Sequence, residues 1–210
     1  MRLRFTLTFA AVALATAAFA QDSNIIGPPD AYQIRYASNL NIGDSSINIT
    51  NSGSDDPVMT GAADNICVGV YTFDASEEMV SCCSCLVTPN ALVSLSVQGD
   101  LISNTLSPSS PTNVVIKLVA TTATGTSCDP TDSTTADLAS GLRAWGTNLH
   151  ALPGAVTTYG LTEGVFLPGG LSTPEFEHLT SFCGFINSNG SGFGICKSCR
   201  AGGLAGAKAN

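Results

Sequence analysis

Eight cysteines, Cys67, Cys82, Cys83, Cys85, Cys128, Cys183, Cys196 and Cys199, restrict this 210-residue chain more than any other feature. An even number of thiols in a chain that leaves the reducing cytosol points to up to four disulfides, with about 105 conceivable pairings. Export is expected from the first residues. Arg2 and Arg4 give a positive start, Phe5 to Phe19 form a nearly unbroken apolar run, and Ala18-Phe19-Ala20 offers small residues flanking a cleavage point. The run falls short of the roughly 20 apolar residues that span a bilayer, and it meets Gln21-Asp22 without a stop-transfer pattern. Residues 1–20 are therefore expected to be a signal peptide, and the mature protein to be secreted or periplasmic, with no transmembrane segment.

Charge excludes one class of partner. The full chain carries a net charge of −8, and loss of Arg2 and Arg4 leaves six basic residues against sixteen acidic ones, a net −10. Such a surface repels phosphate backbones, and the six remaining cations are scattered, so no nucleic-acid partner is expected. An extracellular protein or a glycan fits better.

The apolar residues come in short runs separated by turn formers, the pattern of strands rather than of helical stripes. Ser46 to Thr50 alternates as a half-buried strand. Ile66 to Phe73 and Met79 to Val87, joined by Asp74 to Glu78, read as a hairpin. On its first arm Ile66, Val68 and Val70 share one face, and Cys67, Tyr71 and Phe73 the other. Ala91 to Val97 and Val114 to Ala120 are further strands, the second apolar enough for burial on both faces. Leu142 to Leu152 and Ala155 to Tyr159 resume the strand character around Pro153-Gly154. Residues 121–140, around Cys128, are polar and predict a long surface loop. One helix is expected near the C-terminus. Ser172 is placed to cap it, Glu175 to complete a capping box and Leu171 to staple onto Phe176, while Phe176, Leu179, Phe182, Cys183 and Ile186 recur at helical spacing. Residues 201–210 are small and Gly-rich, as a flexible tail would be.

The expected fold is thus mainly β: one domain over residues 21–200, an antiparallel β-sandwich, immunoglobulin-like in one version, with one C-terminal helix in a Cys-containing segment 171–199 and disulfide-stapled loops. The stretches NIGDSSINITNSG (41–53), ICVGVYTFDASEEMVSCCSCLVTPNALVSLSV (66–97), LRAWGTNLHALP (142–153) and GFGICKSC (192–199) together resemble a family of exported, cysteine-containing bacterial proteins to which no activity is attached. The resemblance implies export and a shared fold and brings no catalytic residue with it.

Three chemistries compete for the cysteines. As staples, Cys67 would fall opposite Cys85 if the hairpin turn centres near Ser76, and Cys183 could reach Cys196 or Cys199. As a metal site, Cys83, Cys85, Cys196 and Cys199 could present four thiolates to zinc. As a redox pair, Cys196 and Cys199 could exchange disulfides with Lys197 lowering a thiol pKa, although such motifs normally open a helix after a strand. Export into an oxidising compartment favours the staples, so no metal and no cofactor are expected. Vicinal Cys82 and Cys83 point to opposite faces of a strand and can pair separately.

Outside the cysteines no catalytic set is recognisable. Trp145, with Arg143 and His150 on the same stretch, could contact a sugar or an aromatic ligand, against the plainer assignment of a lone Trp to a sandwich core. The sequence favours a non-catalytic structural or ligand-binding domain. Its alternatives are a thiol–disulfide oxidoreductase using Cys196 and Cys199, or a subunit of a surface assembly joined through sheet edges.

Overall fold

The computed structural model describes residues 24–53, 65–125, 127–131, 133–154 and 159–199. The proposed leader, part of the segment expected to be a strand at 155–159, and the tail 201–210 lie outside these residues. Among the described residues nine strands and one α-helix follow in chain order: β1 Tyr32–Ala37, β2 Ser46–Asn51, β3 Ile66–Phe73, β4 Met79–Val87, β5 Leu92–Ser96, β6 Val114–Thr122, β7 Leu142–Ala151, β8 Tyr159–Val165, β9 Leu167–Pro168 and α1 Thr173–Ser188. One sheet runs β4-β3-β6-β1-β9 and the other β5-β2-β7-β8, with every named strand pair antiparallel. The expected architecture, mainly antiparallel β with one late helix, is the observed one.

Three layers result from the side-chain period of the central strands. Ile66, Val68 and Val70 of β3 meet Ile47 and Ile49 of β2 and Val93 and Leu95 of β5 in the core between the sheets. Tyr71 and Phe73, on the other face of β3, join Phe176, Leu179, Cys183 and Ile186 of α1 in a second core outside the sandwich. Because both its faces are covered, β3 is buried along its whole length, and so is β4. The hairpin therefore carries no polar face in its sequence.

Ser172 caps α1, its hydroxyl accepting from the Glu175 N–H at 3.3 Å. The Glu175 carboxylate does not close a capping box; it accepts from Lys117 Nζ at 2.6 Å, and the same ammonium lies 4.6 Å from the centre of the Phe73 ring. Phe182 also departs from expectation. It is 49 % exposed, because the helix buries a narrow stripe through Leu179, Cys183 and Ile186 and leaves Phe182 at its margin.

All eight cysteines are paired, and the two cores explain how. Cys82 and Cys83 do point to opposite faces of β4. Cys82 bonds Cys183 of α1 across the outer core, with 5.8 Å between Cα atoms. Cys83 and Cys85 point inward and bond Cys196 and Cys199, at Cα separations of 5.4 and 4.8 Å. The chain after α1 runs beside β4, with the Cys82 N–H donating to Gly194 O and the Cys196 N–H to Cys82 O, so the two C-terminal thiols reach the two inward thiols of β4. Cys67, on the outer face of β3, bonds Cys128 with Cα atoms 5.5 Å apart. These separations lie in the range that disulfides require.

Both expected staples are corrected. Cys67 stands opposite Leu86, and Cys85 opposite Val68, because an irregularity between Thr72 and Phe73 slips the hairpin register by one residue. One residue of slip exchanges the faces, leaving Cys67 and Cys85 on opposite sides of the sheet. Cys183 faces the sheet from α1 and is taken by Cys82, out of reach of the inward pair. The segment 121–140 is likewise less detached than its polarity suggests. Strand β6 extends through Thr122, Leu138 bridges back to Thr121, and Ala139 is fully buried. Four disulfides suit an oxidising compartment. Among the described residues no helix is long and apolar enough to cross a membrane.

Candidate functional site at the open flank

Strand β1 reads Tyr32-Gln33-Ile34-Arg35-Tyr36-Ala37, and its inward face is polar. Tyr32 and Ile34 pack toward α1, which turns Gln33 and Arg35 into the sandwich flank. Gln33 is buried and Arg35 half-buried; both donate to carbonyls of the opposite sheet, while Arg35 Nε has no partner among the described residues. Gln33 Nε2 donates to Leu142 O at 2.8 Å, and Arg35 Nη1 to Gly164 O at 2.7 Å and Val165 O at 3.2 Å. The guanidinium lies over a glycine pair, Gly146 facing Gly164 across β7 and β8. Cβ atoms at these positions would sit 3.2 and 3.1 Å from its nitrogens. Burial lowers the Arg35 pKa, an effect that nearby Glu163 opposes.

Just beyond, β8 ends and β7 is left uncovered. The Phe166 N–H donates to Ala144 O, after which the chain crosses to pair with β1 as β9. A cleft of about 310 Å³ opens at this crossing, lined by Pro29, Asp30, Gln33, Arg143, Ala144, Trp145, Val165, Phe166 and Pro168. Its charged wall is an ion pair: Arg143 Nη1 lies 2.5 Å from Asp30 Oδ2, which also accepts from the Gly141 N–H at 3.0 Å. Burial acts to raise the Asp30 carboxyl, but the Arg143 and Gly141 hydrogen bonds outweigh it and hold the pKa below its ordinary 3.8.

Trp145 lies outside the core. Its register neighbours are Asn48 on β2 and Val165 on β8, and its strand neighbours Ala144 and Gly146 point inward, so it stands half-buried on the outer face. Across β2 that face carries the hydroxyls and amides of Ser94, Asn48 and Thr50, with Ser94 Oγ donating to Asn48 Oδ1 at 2.7 Å. An indole on a hydroxyl- and amide-bearing sheet, beside a fixed ion pair, suits a neutral polar ligand with an apolar face.

Of the three residues singled out in the sequence, Arg143 and Trp145 share this cleft and His150 does not join them. His150 is five residues further along β7, about 17 Å at strand spacing, and on the opposite face; its Nε2 lies 2.8 Å from Thr162 Oγ1. Asp30, Gln33 and Phe166 carry no recognisable signal in the sequence, since they come from loops and a strand whose pattern is inverted. The zinc reading did group the right four cysteines, yet they stand as two disulfides, and among the described residues no set of His, Cys, Asp or Glu side chains is arranged for a metal. Cys196 and Cys199 are bonded to β4 rather than to each other and are 1 % and 2 % exposed. No family model, curated protein or solved structure matches the chain.

Proposed function

We propose that this protein is an exported, non-catalytic ligand-binding domain, secreted or periplasmic, whose disulfide-tied sandwich presents the Trp145 cleft to an extracellular glycan or protein. The observation that carries the reading is the placement of Trp145 beside the Asp30–Arg143 pair on an outer sheet face, where core packing does not account for it. The framework behind it is rigid. Gln33 and Arg35 strap one sheet to the other at the flank, and the four disulfides fix the opposite half. Preorganisation of this kind lowers the entropic cost of binding.

The oxidoreductase alternative is weaker on geometry. An exchanging pair closes on itself and exposes its attacking thiolate, whereas Cys196 and Cys199 are buried and bonded to separate partners.

Trp145 is the only tryptophan in the chain, so its fluorescence reports on the cleft directly. Titration of the oxidised protein with soluble oligosaccharides should give a saturable spectral shift, and calorimetric titration should show the binding lost in Trp145→Ala and weakened in Arg143→Ala. A flat response across neutral, acidic and aminosugar oligomers would remove the glycan version. Reactive native thiols found by mass mapping would instead favour the redox alternative.

A further inference from the structure

We propose that two copies of this chain pair edge to edge through β8, antiparallel about a two-fold axis at Thr162, joining the two β5-β2-β7-β8 sheets into one of eight strands. The inference is independent of the ligand reading.

It starts from an edge with little protection. Strand β8 is last in its sheet, and among the described residues nothing pairs with its outer side. Natural edge strands are blunted by charged side chains, above all Lys, by Pro, by bulges or by extreme shortness. Seven residues of Tyr-Gly-Leu-Thr-Glu-Gly-Val carry one such device, Glu163, with no Lys and no Pro, and the β7–β8 register runs without a shift. Its apolar side chains are open, with Tyr159 45 %, Leu161 56 % and Val165 66 % exposed. The backbone is available as well. The Phe166 N–H is directed to β7, and donors alternate along a strand, so the N–H groups of Leu161 and Glu163 are directed away from the sheet.

The strand's own sequence selects a second copy and one register. About an axis at Thr162, Thr162 faces Thr162, Tyr159 faces Val165, Gly160 faces Gly164 and Leu161 faces Glu163. Aromatic with β-branched and Thr with Thr are favourable cross-strand pairs, and Leu161 with Glu163 would be the hydrogen-bonded pair, formed twice by symmetry. Moving the axis to Glu163 sets the two carboxylates directly opposite, and moving it to Leu161 sets Tyr159 against Glu163. Charge agrees: the chain is strongly acidic, but β8 carries a single carboxylate, and Arg35 lies close enough to counter it. This edge is therefore where two acidic molecules approach with least repulsion.

The test uses the full, oxidised protein. Sedimentation should show a concentration-dependent monomer–dimer equilibrium, and Leu161→Glu, which sets a carboxylate directly opposite Glu163 of the other copy at both symmetry-related positions, should raise the dimer dissociation constant at least tenfold with an unchanged circular dichroism spectrum. Independently, paired Thr162 residues would have Cα atoms about 4.5 Å apart, within disulfide reach. Thr162→Cys should then yield a covalent dimer under oxidation, whereas Ser94→Cys, on the opposite half of the same sheet, should not. A monomer at all accessible concentrations, a dimer indifferent to Leu161→Glu, or open polymers in place of a closed dimer would each overturn the proposal.

Discussion

Cys82 and Cys83 are adjacent on β4 yet anchor different layers, Cys82 holding α1 against the outer face and Cys83 holding the C-terminal segment against the inner core. The strand is thus the mechanical centre of the molecule. Loss of either bond should act on a different layer.

Replacing Cys82 and Cys183 by Ala opens a bond between residues 101 apart in sequence. Loop-closure entropy favours the unfolded state of such a variant, with a cost of about 2–5 kcal/mol. The change should appear as a lower midpoint in guanidinium unfolding. Removing Cys67 and Cys128, 61 residues apart and fastening a loop rather than a layer, should cost less. An equal effect of the two double variants would show that Cys82–Cys183 does not hold α1 in place.

Acid should probe the flank through Asp30. Its folded pKa lies below the ordinary 3.8 because Arg143 and Gly141 favour the carboxylate. A depressed acid pKa contributes stability that is complete above the unfolded value and is lost as pH falls through the folded one. Asp30→Asn should therefore be less stable than the parent near neutrality, and the gap should close as pH falls below the ordinary 3.8. Urea unfolding of both proteins from neutral to acid pH measures it. A gap constant with pH would assign the effect to packing instead of charge.

Two glycines under Arg35 should respond unequally to a methyl group. At Gly164 the new Cβ would meet Arg35 Nη1 at 3.1 Å, the movable end of a long side chain. At Gly146 it would meet Ser46 O, backbone of a central strand, at 2.7 Å. Gly146→Ala should destabilise by about 1–3 kcal/mol, the range for overpacking, and Gly164→Ala by clearly less. The reverse order in chemical denaturation would mean that Arg35, not β2, is the fixed neighbour.

How far these features can be read from the sequence depends on how each residue is covered. Strands β3 and β4 are legible residue for residue, because a hairpin buried on both faces is mostly apolar, broken only by small residues such as Thr72, Ser81 and Ser84. The α1 cap is legible because Ser172 and Pro174 act locally. Strand β1 is not, since its inward residues at the flank are Gln33 and Arg35, whose hydrogen bonds to the opposite sheet reach more than 100 residues along the chain. Strand β8, with two glycines and every residue at least partly exposed, carries no apolar alternation to detect. The disulfide pattern turned on one slipped residue near Thr72, a backbone event that leaves no mark in composition. The cleft was half legible: Trp145 and Arg143 stand out by type, while Asp30 and Gln33 become significant only where the chain crosses from β8 to β9.

The second core offers a test at the alkaline end. Tyr32 and Tyr71 pack there, and burial pushes both phenols well above their ordinary value of 10.0, assisted by Glu175 near Tyr32 and Asp129 near Tyr71. Tyr71 Oη donates to Pro130 O at 3.2 Å, a bond that only the neutral phenol can make. A raised phenol pKa stabilises the fold below the unfolded value, and that stability is lost as pH rises beyond it, because the unfolded chain ionises first. Tyrosinate absorbance for these two residues should accordingly appear together with loss of the far-ultraviolet signal and not before it. Tyr71→Phe keeps the ring but removes the ionisable group, so it should shift the alkaline unfolding midpoint upward. Reversible ionisation of all four tyrosines in the folded protein would mean that the layer between α1 and β3 admits water.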